Sequence, residues 1–337
     1  MVRRVAIVRA WLGAGFAIGL TACGSSPTEP TPVPPQPASL TITCPAGASG
    51  VSHLGQPATV TWSAPTTTGG TAPVTTTCTP ASGSSFQPGT ASVTCRAADA
   101  GAQSVSCGFT VTVTRAPQLS ITRFMAFGDS ITEGKSQDPP VFLSDFVAEP
   151  YPMKLNSLLT SRFADQTITV FNRGWSGEMI ATGLLRLPGA MAETNPEAVL
   201  LLHGANDLLG NPSSATTQYI AARLREMVRV VQSRSIVKTA VMLATFPPQR
   251  EGTYPYDRGA GRAFVPELNQ RIADVARSEN AILVDLYAGF PIDTSKLISV
   301  DGLHPTPDGY ALMAQIFNQA VIANFEVKPA GSPFTIR

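Results

Sequence analysis

The chain has 337 residues, more than one ordinary domain needs, and 24 Lys and Arg against 23 Asp and Glu leave a formal charge of +1. With no basic block able to neutralise a run of phosphates, a nucleic-acid-binding role is excluded. Composition shifts near residue 118, from Thr, Ser, Pro, Gly and Ala upstream to the Leu, Arg, Glu and Asp of an enzyme-sized unit downstream, so two folded domains are expected.

Residues 1–22 read as a secretory leader. Arg3, Arg4 and Arg9 precede an apolar run over residues 10–20 that is too short to span a bilayer as a mature helix. The segment Leu20-Thr21-Ala22-Cys23 that ends it resembles the lipobox of bacterial lipoproteins, which implies lipidation of Cys23 and anchoring of an exported protein in the cell envelope. Removal of the three leader arginines would take the formal charge from +1 to −2. Residues 23–38, rich in Pro, Thr and Ser, form a semi-rigid tether able to lift the first domain roughly 40 Å from a membrane.

Cys44, Cys78, Cys95 and Cys107 all lie in the upstream domain, an even number suited to disulfides in an oxidising compartment. Four cysteines admit three pairings. Cys44 with Cys107 and Cys78 with Cys95 is the expected one. A metal site is disfavoured by the absence of any CxxC pair and by having only His53 nearby. Over residues 39–116, runs at 40–43, 58–62, 74–77, 91–94 and 109–114 alternate Thr with apolar residues between Pro/Gly/Ser turns, the pattern of an antiparallel β-sandwich. Ala58-Thr59-Val60-Thr61-Trp62-Ser63-Ala64-Pro65, Cys78-Thr79-Pro80-Ala81-Ser82-Gly83-Ser84 and Ser106-Cys107-Gly108-Phe109-Thr110-Val111-Thr112-Val113 resemble the hyalin-repeat family of immunoglobulin-like modules. The resemblance implies an extracellular spacer or adhesive module. A spacer is favoured because Trp62, mid-strand, reads as core.

Residues 117–330 alternate strands with helices. Strands are expected at 121–127, 168–171, 198–202, 236–244 and 281–286, and helices at 150–163, 178–187, 215–233, 264–279 and 306–325. This order predicts a three-layer α/β/α sandwich with a parallel sheet, whose strand tips gather loops that are distant in sequence. At those tips stand Gly128-Asp129-Ser130-Ile131-Thr132, Asn172-Arg173-Gly174-Trp175-Ser176-Gly177, Gly204-Ala205-Asn206-Asp207 and, before the last helix, Asp301-Gly302-Leu303-His304-Pro305.

With these four blocks in order, residues 121–325 are identified as resembling the SGNH (GDSL) hydrolase superfamily. The resemblance implies that Ser130 is a nucleophile, His304 its base and Asp301 the group that orients the base. It further implies an oxyanion hole from the backbone N–H of Ser130 and Gly177 and the side-chain amide of Asn206. Ile131 stands where the motif has Leu, a small apolar change. The chemistry is coherent in its own right, since a serine hydroxyl needs an imidazole to take its proton and the imidazole needs a carboxylate to hold its tautomer. Of the three histidines, His53 belongs to the other domain, and His203, ending a buried strand, is better read as structural. Asp129 and Asp207 are better placed as loop braces than as the triad acid.

A substrate pocket is expected beside these loops, with Asp129, Trp175, Tyr254 and Arg258 as candidate lining residues. Residues 137–149 and the long polar loop 246–263 are candidate pocket walls or a lid. The expected activity is a serine esterase with no metal or organic cofactor, acting on short-chain acyl or O-acetyl groups of carbohydrate or small esters. Its partners are that ester substrate, with an acetylated glycan as one candidate, and a membrane through the anchor; a monomer is expected. The alternatives are a lysophospholipase- or thioesterase-like enzyme for longer acyl chains, or a non-catalytic surface-binding lipoprotein.

Overall fold

The structure is a computed structural model and describes residues 38–136, 145–146, 149–233, 238–253 and 257–328. The leader, the tether up to residue 37, Cys23, Tyr254 and most of segment 137–149 lie outside these residues.

The upstream domain comprises β1 (Thr41–Thr43), β2 (Ala48–Ser52), β3 (Ala58–Val60), β4 (Thr66–Thr68), β5 (Thr75–Thr79), β6 (Ser84–Phe86), β7 (Gly89–Ala98) and β8 (Ser104–Arg115). A four-stranded sheet in the order β2-β8-β7-β5 is accompanied by the pairs β1-β4 and β3-β6. All pairings are antiparallel except β2 with β8, which is parallel, a departure from the wholly antiparallel expectation. Alternation does the sorting: Val93, Cys95 and Ala97 of β7 and Phe109, Val111 and Val113 of β8 point inward while the intervening Thr94, Arg96, Thr110 and Thr112 face solvent. Trp62 packs edge-on against Phe109, as core. The disulfides Cys44–Cys107 and Cys78–Cys95 form as expected.

In the downstream domain the order is β9 (Arg123–Gly128), α1 (Ser130–Glu133), β10 (Lys135–Ser136), β11 (Asp145–Phe146), α2 (Tyr151–Arg162), β12 (Thr169–Gly174), α3 (Ile180–Thr194), β13 (Ala198–Leu202), α4 (Ala205–Gly210), α5 (Ser214–Gln232), β14 (Ala240–Ala244), a 3-10 turn (Gly259–Phe264), α6 (Val265–Ser278), β15 (Ile282–Val284), α7 (Leu286–Gly289) and α8 (Pro307–Phe325). Five parallel strands stand in the order β12-β9-β13-β14-β15. Buried on both faces, β9 and β13 are apolar almost throughout, as parallel sheet centres require. Helices α2 and α8 pack together, and α5 packs on α3 and α6, giving a three-layer α/β/α sandwich.

Helix α3 runs seven residues past its expected end at residue 187, through Pro188, to Thr194. The proline removes one helical hydrogen bond, but Leu187, Ala190, Met191 and Thr194 continue the buried face and hold the helix together. The domains touch where Asp165 takes hydrogen bonds from the His53 ring at 2.9 Å and the Leu54 N–H at 3.0 Å. Among the described residues no helix is long and apolar enough to cross a membrane.

Candidate active site

Strand register alone brings three of the four blocks together. Gly128, the last residue of β9, lies opposite Gly174 of β12 and Leu202 of β13, so Asp129, Trp175 and His203 each take the next position beyond one line across the sheet. This is the crevice where strand order reverses, the place at which open α/β sheets bind ligands.

Ser130 opens α1, with Asp129 as its N-cap accepting from the Ile131 N–H at 3.1 Å. Its Oγ lies 2.8 Å from His304 Nε2, and His304 Nδ1 lies 2.5 Å from Asp301 Oδ2. A carboxylate can only accept, so Nδ1 carries the proton and Nε2 is left to accept from the serine hydroxyl. Asp301 Oδ1 accepts from Ser299 Oγ at 2.7 Å and from the Leu303 and His304 N–H groups, each at 3.0 Å. Ser130, His304 and Asp301 are 4%, 2% and 0% exposed, so the line of hydrogen bonds is sheltered from water at its acidic end. Burial acts to raise the Asp301 pKa, but the His304 hydrogen bond and charge and the loop N–H groups outweigh it and hold the carboxyl below its ordinary value.

Gly177 follows β12 in a left-handed backbone conformation (φ +77°), which favours glycine, and is exposed. Asn206 stands in the first turn of α4 and is half-buried; its Nδ2 donates to the Glu178 carbonyl at 3.0 Å, leaving a second amide hydrogen. The hinge between these blocks is Asp129. It is fully buried, and its Oδ2 accepts from the N–H groups of Gly204 (3.3 Å) and Ala205 (3.1 Å). Asp129 is therefore a brace between the first and third blocks and not a pocket wall, correcting its place among the lining candidates. Asp207 braces likewise, accepting from the Ile180 N–H at 2.8 Å, and burial pushes its pKa up.

Trp175 is 61% exposed beside Gly177, with its N–H donating to the Gly128 carbonyl at 3.0 Å. Arg258 has an exposed side chain, while its backbone N–H donates to the Asp301 carbonyl at 2.7 Å. The long loop expected as a lid is stitched to the acid–base loop. Arg250 N–H donates to Gly302 O (3.0 Å), Thr253 N–H to Val300 O (2.7 Å) and Arg250 Nε to Ile298 O (3.0 Å). Its described parts thus buttress Asp301 and His304, which the composition of the loop did not suggest.

His203 is fully buried, its Nε2 donating to Glu178 Oε2 at 2.9 Å. Glu178 also takes both arms of the Arg186 guanidinium, at 2.8 and 2.6 Å. Burial acts to raise the Glu178 pKa, and Arg186 and then His203 bring it below the ordinary value. The sequence reading assigned no role to Glu178, Arg186 or Ser299; the available signal was an arginine inside the otherwise apolar stretch Leu184-Leu185-Arg186-Leu187. Among the described residues no cluster of His, Cys, Asp and Glu is arranged to hold a metal.

The model of the GDSL-like lipase/acylhydrolase family matches residues 126–312, and that of the HYR domain matches residues 36–113. An arylesterase of Vibrio mimicus is 25% identical over 187 residues, 53% of this chain and 86% of its own length. An isoamyl acetate-hydrolyzing esterase 1 homolog of Rattus norvegicus is 30% identical over 205 residues, 56% of this chain and 76% of its own. A carbohydrate acetylesterase from Sinorhizobium meliloti superposes with a TM-score of 0.51 at 17% identity, over 60% of this chain and 99% of that one, a likeness of fold. A match over more than half the chain, on a domain that gathers a serine, a histidine and an aspartate at the sheet's switch point, establishes that this protein belongs to the GDSL-like lipase/acylhydrolase family and is an ester hydrolase.

Proposed function

We propose that the chain is a serine esterase that removes short acyl groups, O-acetyl above all, from carbohydrate or small-alcohol esters by way of an acyl-enzyme on Ser130. The observation that carries the reading is the buried line Ser130–His304–Asp301, with 2.8 and 2.5 Å links. His304 Nε2 takes the Ser130 proton as Oγ attacks the ester carbonyl. The tetrahedral oxyanion rests on the N–H groups of Ser130 and Gly177 and the free Asn206 amide hydrogen, donors of a kind worth about 3 kcal/mol each to the transition state. His304 then protonates the departing alcohol. A water deprotonated by His304 attacks the acyl-enzyme, releasing the carboxylic acid and restoring Ser130.

Asp301 stays ionised throughout, holding the imidazole tautomer and stabilising the imidazolium. A preference for short acyl groups is supported by the relative named for hydrolysis of isoamyl acetate. Trp175, exposed beside Gly177, offers an apolar face to the alcohol or sugar portion. Export and lipidation at Cys23 belong to the same proposal, supported by the disulfides Cys44–Cys107 and Cys78–Cys95, a feature of oxidising compartments.

The test is a panel of p-nitrophenyl esters from acetyl to octanoyl, with acetylated glycans, on the full chain and S130A. Activity should fall steeply with chain length and vanish in S130A. Rates that rise with chain length would reject the short-acyl assignment in favour of a lipolytic enzyme. An S130A protein as active as the wild type would reject the nucleophile.

A further inference from the structure

Three loops must hold their relative positions to about half an ångström for an oxyanion hole to work, because a misplacement of 1 Å can cost about a hundredfold in rate. Asp129 ties the first loop to the third. The second loop, which carries Gly177, is exposed and so needs its own anchor. One anchor is Glu133 of α1, whose Oε2 accepts from the Ser176 N–H at 2.7 Å; a second is Arg186, which lies two turns along α3.

The guanidinium of Arg186 donates through Nη2 to the Gly128 carbonyl at 3.3 Å, where the first loop begins, and through Nη1 to the Arg173 carbonyl at 3.1 Å, where the second begins. Nε and Nη2 also grip the Glu178 carboxylate, in a pair that is 19% and 4% exposed. Its Cζ lies 4.1 Å from the centre of the Phe127 ring and 5.6 Å from that of Trp175. One side chain therefore meets the entry to the first loop and both ends of the second. Glu178 extends the link to the third. Its carboxylate accepts from His203, which precedes Gly204, and its carbonyl accepts from Asn206 Nδ2.

We propose that Arg186 is a positioning residue for the oxyanion hole, acting through Glu178 and His203 on the backbone that carries Gly177 and on the amide of Asn206. The inference rests on the reading of those two residues as oxyanion donors. An arginine suits the position because its planar fork can serve the carboxylate and the carbonyls at fixed angles while its flat face lies on an aromatic ring. A lysine supplies the charge without the fork. Because Arg186 touches neither Ser130 nor His304 in any hydrogen bond described above, its loss should spare formation of the nucleophile and weaken the hold on the tetrahedral species.

The experiment compares the full chain with R186M, R186K and E178Q. Active sites are counted by complete labelling with a fluorophosphonate, kcat and KM are taken on p-nitrophenyl acetate per labelled site, and affinity is measured for phenylboronic acid, a tetrahedral mimic. R186M should lose about ten- to a hundredfold in kcat per site with KM changed less than about threefold. Boronate affinity should fall by the same factor as kcat, and R186K should lie between R186M and wild type. E178Q should shift in the same direction as R186M.

A melting temperature that drops while kcat per site and boronate affinity stay within about twofold of wild type would overturn the proposal, leaving Arg186 as a stability residue. Should R186M fail to fold, R186K and E178Q are judged by the same two quantities. An active wild type with unaffected variants refutes this inference alone; an inert wild type refutes the esterase reading beneath it.

Discussion

Replacing Asp301 by Asn removes one charge and almost no volume, and the surroundings decide which way the new amide turns. Oδ1 of Asp301 receives three donors, Ser299 Oγ and the N–H groups of Leu303 and His304, whereas Oδ2 receives one, His304 Nδ1. An Asn with its NH2 toward the loop would leave two backbone N–H groups buried without acceptors, at about 1–3 kcal/mol each. The amide oxygen will therefore keep the loop and the NH2 will face the ring, donating to Nδ1. That forces the proton onto Nε2, and His304 can no longer accept from Ser130. A wrong-tautomer imidazole in a serine hydrolase costs about 10⁴ in kcat, or roughly 5 kcal/mol of transition-state stabilisation. The assay is the initial rate on p-nitrophenyl acetate at saturation, with circular dichroism confirming that D301N is folded. A folded D301N that keeps more than about a tenth of wild-type kcat would refute the tautomer argument.

Other outcomes follow from the same contacts. Because the Asp301 pKa is depressed in the folded state, its stabilising contribution is present above the unfolded-state value of about 4 and is lost as pH falls through the folded value. The melting-temperature gap between wild type and D301N should accordingly close on acidification below about pH 4, and a gap that stays constant down to pH 2 would contradict it. Two glycines of α3 should respond in opposite senses to Ala. At Gly183 a Cβ would stand 2.3 Å from Nε2 of the buried His203, so G183A should lower both stability and kcat. At Gly189 a Cβ meets nothing within 4 Å, so G189A should gain about 0.5–1 kcal/mol in chemical denaturation. Reduction with dithiothreitol should destabilise the upstream domain, whose disulfides close loops over separations of 63 and 17 residues. Each such closure is worth about 3–4 kcal/mol. Esterase activity should survive reduction, since the downstream domain contains no cysteine.

The order of strands and helices in the downstream domain could be read from the chain because its periodicities are strong: Ala198-Val199-Leu200-Leu201-Leu202 is wholly buried and flanked by helices with clear apolar faces. What failed to show was local and short. β2, β4 and β6 have three to five residues each, too few for alternation to stand out, and their pairing partners lie 23 to 63 residues away in the register. Pro188 ended the expected α3 early because a proline is a breaker in isolation, whereas the buried face beyond it is a property of the packed molecule.

The same division runs through the site. Ser130, Asn206, Asp301 and His304 sit in short blocks next to Gly, Asp or Pro, where chain geometry and chemistry coincide within five residues and leave a readable mark. Arg186 has no such mark. Apolar periodicity records which side chains are buried because they are oily, but Arg186 is four-fifths buried because a stacked ring, a carboxylate and two carbonyls satisfy its face and its donors. Each of those partners is contributed by a different stretch: Phe127 and Gly128 by β9, Arg173 by β12, Glu178 by the turn into α3. A charge becomes cheap to bury only when the fold has already assembled its partners, so a residue of this kind is invisible to any window narrower than the fold itself. That dependence also gives it leverage: a group held by two loops, and tied through Glu178 to a third, bears on all three.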